Sequence, residues 1–130
     1  MLMNRNHPLA HKETISPQDL VGVSVFQSRH TLPKSALTEW YKDVADRIDF
    51  IGTYNLIYNA ALAARSGYGC VLTLDKLVNT SGESELCFRP LDPPLTAHLD
   101  VVWKKYQIFS QAATIFLRYL QEKFSSCKER

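Results

Sequence analysis

Two short segments of this 130-residue chain bring together side chains able to hold an anion or a small polar molecule. "QSRHT", residues 27–31, follows one run of β-forming residues, and "GTYN", residues 52–55, follows another. In open α/β sheets, ligands bind beyond the carboxyl ends of the strands, where helix N-termini present unpaired N–H groups and a partial positive charge. Ser28, Arg29, Thr53, Tyr54 and Asn55 therefore form a candidate half-site. The hydroxyls and the amide hydrogen-bond, and Arg29 can grip a carboxylate through two parallel N–H bonds. Ser28, Thr53 and Asn55 suit caps and turns equally well, and Arg29 suits a solvated surface charge. The case for a site rests on their shared position.

Catalytic patterns are thinner. His7, His11, His30 and His98 lack H-E-x-x-H or any other metal-binding spacing, and Pro8 suggests a loop at His7, so all four read as surface residues. Neither G-x-G-x-x-G nor G-x-x-x-x-G-K-[ST] occurs, and no metal, cofactor or enzymatic activity is expected. Cys70 and Cys87 fall on expected strands and read as small core hydrophobes, while Cys127 lies in a polar tail. An odd number of thiols without C-x-x-C, and no secretory segment at the N-terminus, points to a reducing, cytoplasmic setting.

The elements that must position the half-site follow from hydrophobic period. "ISPQDLVG" has Ser16 as N-cap, Pro17 at the first helical position, Asp19 placed to answer the cap and Gly22 as a stop, which makes a short helix. Val23 to Ser28 alternates as a strand, and "LPKSALTEWYKDV" then sets Leu37, Trp40, Tyr41 and Val44 on one helical face. "IDFIG" is a second strand, and "TYNLIYNAALAARSG" a helix opened near Thr53 or Asn55 and closed by Gly67. "CVLTL" and "ELCFRPL" read as two more strands, and the prolines of "RPLDPPL" favour an extended connector. Leu99 to Lys104 reads as a strand and Ser110 to about Phe124 as an amphipathic helix with Ala113, Phe116, Leu117, Leu120 and Phe124 on one stripe. Strand and helix in turn make the class α/β.

Composition sets the outer limits. A chain of 130 residues with 45% hydrophobic content has room for one core. A net charge of +2 gives no field for a polyanion, and no apolar run reaches the roughly 18 residues of a membrane-spanning helix.

Two long segments carry a resemblance. "VLTLDKLVNTSGESELCFRPLDPPLTAHLDVVWKKYQIFSQAATIFLRYLQEKF", residues 71–124, resembles the C-terminal end of LysR-type transcriptional regulators. "MNRNHPLAHKETISPQDLVGVSVFQSR", residues 3–29, is similar to that family's "HPLA…dL.g.p.i" passage in the middle of the effector-binding domain. The resemblance implies a periplasmic-binding-protein-like (type 2) lobe with a mixed, mostly parallel sheet flanked by helices, plus a C-terminal strand and helix. Residues 5–98 would be the second lobe, and 99–130 the return strand and helix of the first, so the chain reads as a fragment of a larger regulator. The function implied is sensing of a small, anionic effector in an interlobe cleft to modulate transcription. The alternative is a stand-alone interaction module that pairs with full-length regulators. Leaving Phe116, Leu117 and Leu120 in water forfeits roughly 1.5 to 3 kcal/mol each, so a homodimer or higher oligomer that joins two such stripes is expected.

With a small net charge and no recognition helix, this chain alone is expected not to bind duplex DNA specifically. A gel-shift assay checks this, and a sequence-selective shift that survives raised salt would overturn it.

Overall fold

The structure, a computed structural model, describes residues 1–97 and 100–125, and the chain divides into two compact units, Met1–Ala97 and His98–Arg130. In the first unit five strands make one sheet: β1 (Leu2–Asn4), β2 (Ser24–Ser28), β3 (Asp49–Tyr54), β4 (Cys70–Val71) and β5 (Leu86–Phe88). Their spatial order is β3-β2-β4-β1-β5. β2 runs parallel to β3 and β4, whereas β1 runs antiparallel to β4 and β5. Four strands thus point one way and β1 alone points back, a mixed sheet of the α/β class.

Period-two alternation sends the strands' side chains into two cores. Met1, Met3, Val25, Cys70, Leu72 and Cys87 pack on one face. Leu2, Val71 and Leu86 pack on the other. The first face is covered by the 3-10 turns Pro8–His11 and Pro17–Leu20, the helix α1 (Ala36–Trp40) and the 3-10 segment Lys42–Arg47. These bring Ala10, Leu20, Tyr41 and Val44 into the core beside Ile15 and Ile48. The second face is covered by α2 (Ile57–Arg65), which lays Ala60, Ala61 and Ala64 on the sheet. Gly69 permits one close approach: a Cβ there would stand 2.7 Å from the carbonyl oxygen of Ser24.

Several sequence expectations hold and several shift. Asp19 accepts from both the backbone N–H and the hydroxyl of Ser16 at 2.9 Å, and Gly22 and Gly67 both take positive φ where the chain must turn. Cys70 and Cys87 are buried on strands. The single helix expected over "LPKSALTEWYKDV" is broken at Tyr41, whose ring turns under the sheet against Phe50 and whose hydroxyl donates to Gln27 Oε1 at 3.0 Å. Tertiary contacts outweigh helix continuity there, yet Tyr41 and Val44 are still buried and Leu37 and Trp40 still pack on the core. His7, expected at the surface in a loop, is half-buried and caps a 3-10 turn: its Nδ1 accepts from the N–H of Leu9 at 3.2 Å, and its Nε2 lies 3.6 Å from Cys70 Sγ.

The second unit holds α3 (Gln111–Ser125), and Ser110 Oγ accepts from the N–H of Ala113 at 3.3 Å to cap it. Residues 100–104, expected as a strand, form none; Leu99 lies outside the described residues. β-forming composition does not hold a strand that has no neighbour to pair with. A turn at Lys105–Tyr106 follows, and Trp103 meets Phe109 edge-on with ring centroids 6.4 Å apart. His98 and Cys127 also lie outside the described residues.

Burial holds the His7 imidazole below its ordinary 6.5, so the folded chain takes up the proton less readily than the unfolded one. Its contribution to stability is complete above that ordinary value and is lost as pH falls through it towards the folded pKa. Protonation also turns Nδ1 into a donor and removes the cap. The urea midpoint is expected to fall between about pH 7 and about pH 5, and to fall less in His7→Asn, which keeps an acceptor without the titration. Equal pH slopes for the two proteins would remove His7 from the account.

Candidate effector site

The half-site forms because β2 and β3 are parallel neighbours that end together. Ser28 stands opposite Tyr54 and Gln27 opposite Thr53 in their pairing. The N–H of Arg29 donates to the carbonyl of Tyr54 at 2.8 Å, which carries the pairing one step past the strands. Ser28 then turns the chain: its Oγ accepts from the N–H of His30 at 3.2 Å and its carbonyl from the N–H of Thr31 at 3.0 Å. Four of the five expected residues, Ser28, Arg29, Thr53 and Tyr54, are thereby gathered at one end of the sheet. Asn55 follows directly, in the bend that leads to α2.

Thr53, Asn55 and Arg29 are exposed and Ser28 is half-buried, so a hydroxyl, an amide and a guanidinium face solvent at this end. Tyr54 is different. Its hydroxyl donates to the carbonyl of Leu72 at 2.8 Å and also meets the side chain of Thr73. Because β2 lies between β3 and β4, this side chain reaches across the end of β2. Burial pushes the phenol above its ordinary value of 10, so it remains a donor at neutral pH. Tyr54 is thus a brace between strand ends.

The helix expected to open near Thr53 or Asn55 begins later, at Ile57, with Leu56 as an N-cap that offers no side-chain bond. Strand pairing keeps Tyr54 extended. The N–H groups without intrahelical partners are therefore those of the turn that starts at Ile57, not those near Tyr54 and Asn55. Thr73 was missed by sequence reasoning, although it stands just past the end of the third parallel strand, where Ser28 and Tyr54 stand on theirs. That shared place was the available signal. Among the described residues, no group of three or more His, Cys, Asp or Glu side chains could hold a metal ion, and no helix is long and apolar enough to cross a membrane.

With that geometry in hand, comparison with known proteins is decisive for the family. The LysR substrate binding domain model matches residues 1–125. This chain belongs to that family. A LysR substrate binding domain is part of a transcriptional regulator, which implies that it binds an effector. Among solved structures, HinK, a LysR family transcriptional regulator from Pseudomonas aeruginosa, shares the fold with a TM-score of 0.69 at 17% sequence identity. The match covers 94% of this chain and 43% of that one, so the LysR domain described here spans less than half of that regulator's length. Among curated proteins, none matches.

Replacing Tyr54 by Phe removes the donor to the Leu72 carbonyl and is expected to lower stability by about 1 kcal/mol in urea unfolding. An unchanged midpoint would show that water replaces the brace without cost.

Proposed function

We propose that this chain is the effector-sensing part of a LysR-type regulator and that it takes a small anionic molecule at the carboxyl ends of β2 and β3, in a cleft closed by the first lobe. The observation that carries this reading is the gathering of Ser28, Arg29, Thr53 and Asn55 beside the start of α2, with Tyr54 bracing the strand ends. Arg29 would take the carboxylate or equivalent anion, Ser28 and Thr53 would bond its oxygens, and Asn55 would read a polar substituent. A ligand held between lobes that differ in affinity between two arrangements shifts the balance of the oligomer, and so alters promoter contacts made elsewhere in the regulator. In this reading 5–98 forms the second lobe, 99–130 returns to the first, and the protein works in the cytoplasm.

The same reading gives α3 a partner. Phe116 is 62% exposed, Leu117 and Leu120 are half-buried, and a second copy of the chain would cover them. This exposed face also supports a second reading, a stand-alone module that pairs with full-length regulators through the same helix.

Titration with sulfate or a small carboxylate, followed by amide chemical shifts, tests the site. Shifts are expected at Ser28, Arg29, Ile57 and Tyr58, with weak affinity in this chain alone, and Arg29→Ala is expected to weaken binding about tenfold, the loss of one charge-assisted contact. Shifts confined to other parts of the chain would overturn it.

A further inference from the structure

We infer that the effector held at the carboxyl ends of β2 and β3 is a monocarboxylate with a mostly hydrocarbon body, its carboxylate at Arg29 and its body over Tyr54 between Leu56 and Leu74. The inference rests on the proposed position of the site and names the class of ligand that fits it. Three parallel strands end side by side here, and each is followed within four residues by an exposed leucine: Leu32 after β2, Leu56 after β3 and Leu74 after β4. They are 70%, 61% and 45% exposed. Large apolar side chains left in water at one end of a sheet, beside a proposed ligand site, call for an apolar occupant.

Hydrogen bonds hold these strand ends in place before anything binds. The bond from the Tyr54 hydroxyl to the Leu72 carbonyl at 2.8 Å ties the end of β3 to the segment that carries Thr73 and Leu74. The carbonyl of Leu32 accepts from the N–H of Ser35 at 3.2 Å, which closes the turn after β2 onto α1. A site ordered in advance spares a ligand the cost of ordering it.

Charge is laid out unequally across the three ends, and this orients the ligand. Residues 27–38 hold Arg29 and Lys34 and no Asp or Glu, and among the described residues neither cation makes an ion pair. Residues 50–64 hold no charged side chain, and beyond β4 Asp75 and Lys76 stand next to each other and offset. The anionic group therefore belongs at the end of β2, and whatever lies over the ends of β3 and β4 meets hydrocarbon. Tyr54 adds to that surface. Its hydroxyl is committed to Leu72 and Thr73, so the ring is what it has left for a ligand. With Ser28 and Thr53 on the carboxylate, Asn55 remains for a single polar substituent, too little for a sugar or other polyol. Mostly apolar lining with a few placed polar groups is the ordinary make-up of a small-molecule site.

Amide chemical shifts of the full chain, titrated with acetate, butyrate and hexanoate, test the class, with gluconate as a polar six-carbon acid and sulfate as a bare anion. Affinity is expected to rise about twofold or more with each added methylene, and gluconate to bind no better than acetate. As the chain lengthens, the shifts are expected to spread from Ser28 and Arg29 to Leu56 and Leu74. Leu56→Ala with Leu74→Ala, its folding verified in the same spectra, is expected to flatten the series. Sulfate and acetate that shift Ser28 and Arg29 without any rise in affinity with length would overturn the hydrocarbon body and leave the anion site standing; the leucines would then belong to contact with the facing lobe. A rise with length that persists in the alanine variant, or shifts confined to the outer face of α2 and residues 77–86, would overturn it as well. Strand ends that respond to neither sulfate nor any of the acids would overturn the site itself, and the ligand class with it.

Discussion

The sheet of the first unit depends on β1, three residues that run against every other strand. Leu2 pairs with Val71 on one side and Phe88 on the other, so β1 joins β5 to the rest of the sheet. Its alternation feeds both cores at once, Met1 and Met3 to one face and Leu2 to the other, and all three side chains are buried. At roughly 1.5 to 3 kcal/mol for each large apolar side chain buried, this short stretch contributes to both faces at once. The chain beside it extends the hold: Arg89 donates its N–H to the carbonyl of Met1 and its guanidinium to that of Ala10, while Arg5 donates its N–H to the carbonyl of Glu85. Loops at both ends of β1 are thus tied to strands by backbone carbonyls and arginine.

Elements governed by local chemistry were legible in the sequence, and those governed by distant partners were not. Ser16 and Asp19 meet as their spacing requires, Gly22 and Gly67 turn the chain where only a residue without Cβ does so freely, and α2 lies within the stretch marked by its alanine-rich period. The break at Tyr41 depends on Gln27 and Phe50, neither of which local period can see. The helix start was placed two to four residues early because "TYN" offers good capping side chains, while the pairing of Tyr54 with Ser28 holds those residues in the sheet. Residues 100–104 show the converse: strong β composition without a neighbouring strand leaves irregular backbone.

The candidate site divides in the same way. Ser28, Arg29, Thr53, Tyr54 and Asn55 were legible as a group because strand order and parallel direction bring carboxyl ends together whatever the details of packing. Their individual roles were not. Tyr54 looked like one more polar group for a ligand, and only the course of its side chain over β2 to the Leu72 carbonyl gives it a separate part. Thr73 meets the same hydroxyl through its own side chain, and its place just past the end of a parallel strand is the one signal the sequence offers for it. His7 differs for a related reason, since its ring lies against Cys70, a residue 63 positions away.

The position of β1 also orders events during synthesis. Its residues leave the ribosome well before those of its partner β5, which is completed only at Phe88. At roughly 5–20 residues per second, the nascent chain carries Leu2 for on the order of ten seconds before both sides of its ladder exist. Until β5 arrives, β1 offers an unpaired edge and buried-type side chains to the surroundings. Long-range closure of this kind is intrinsically slow, and the stretch of time between first and last strand is where chaperones would have most to do for this protein.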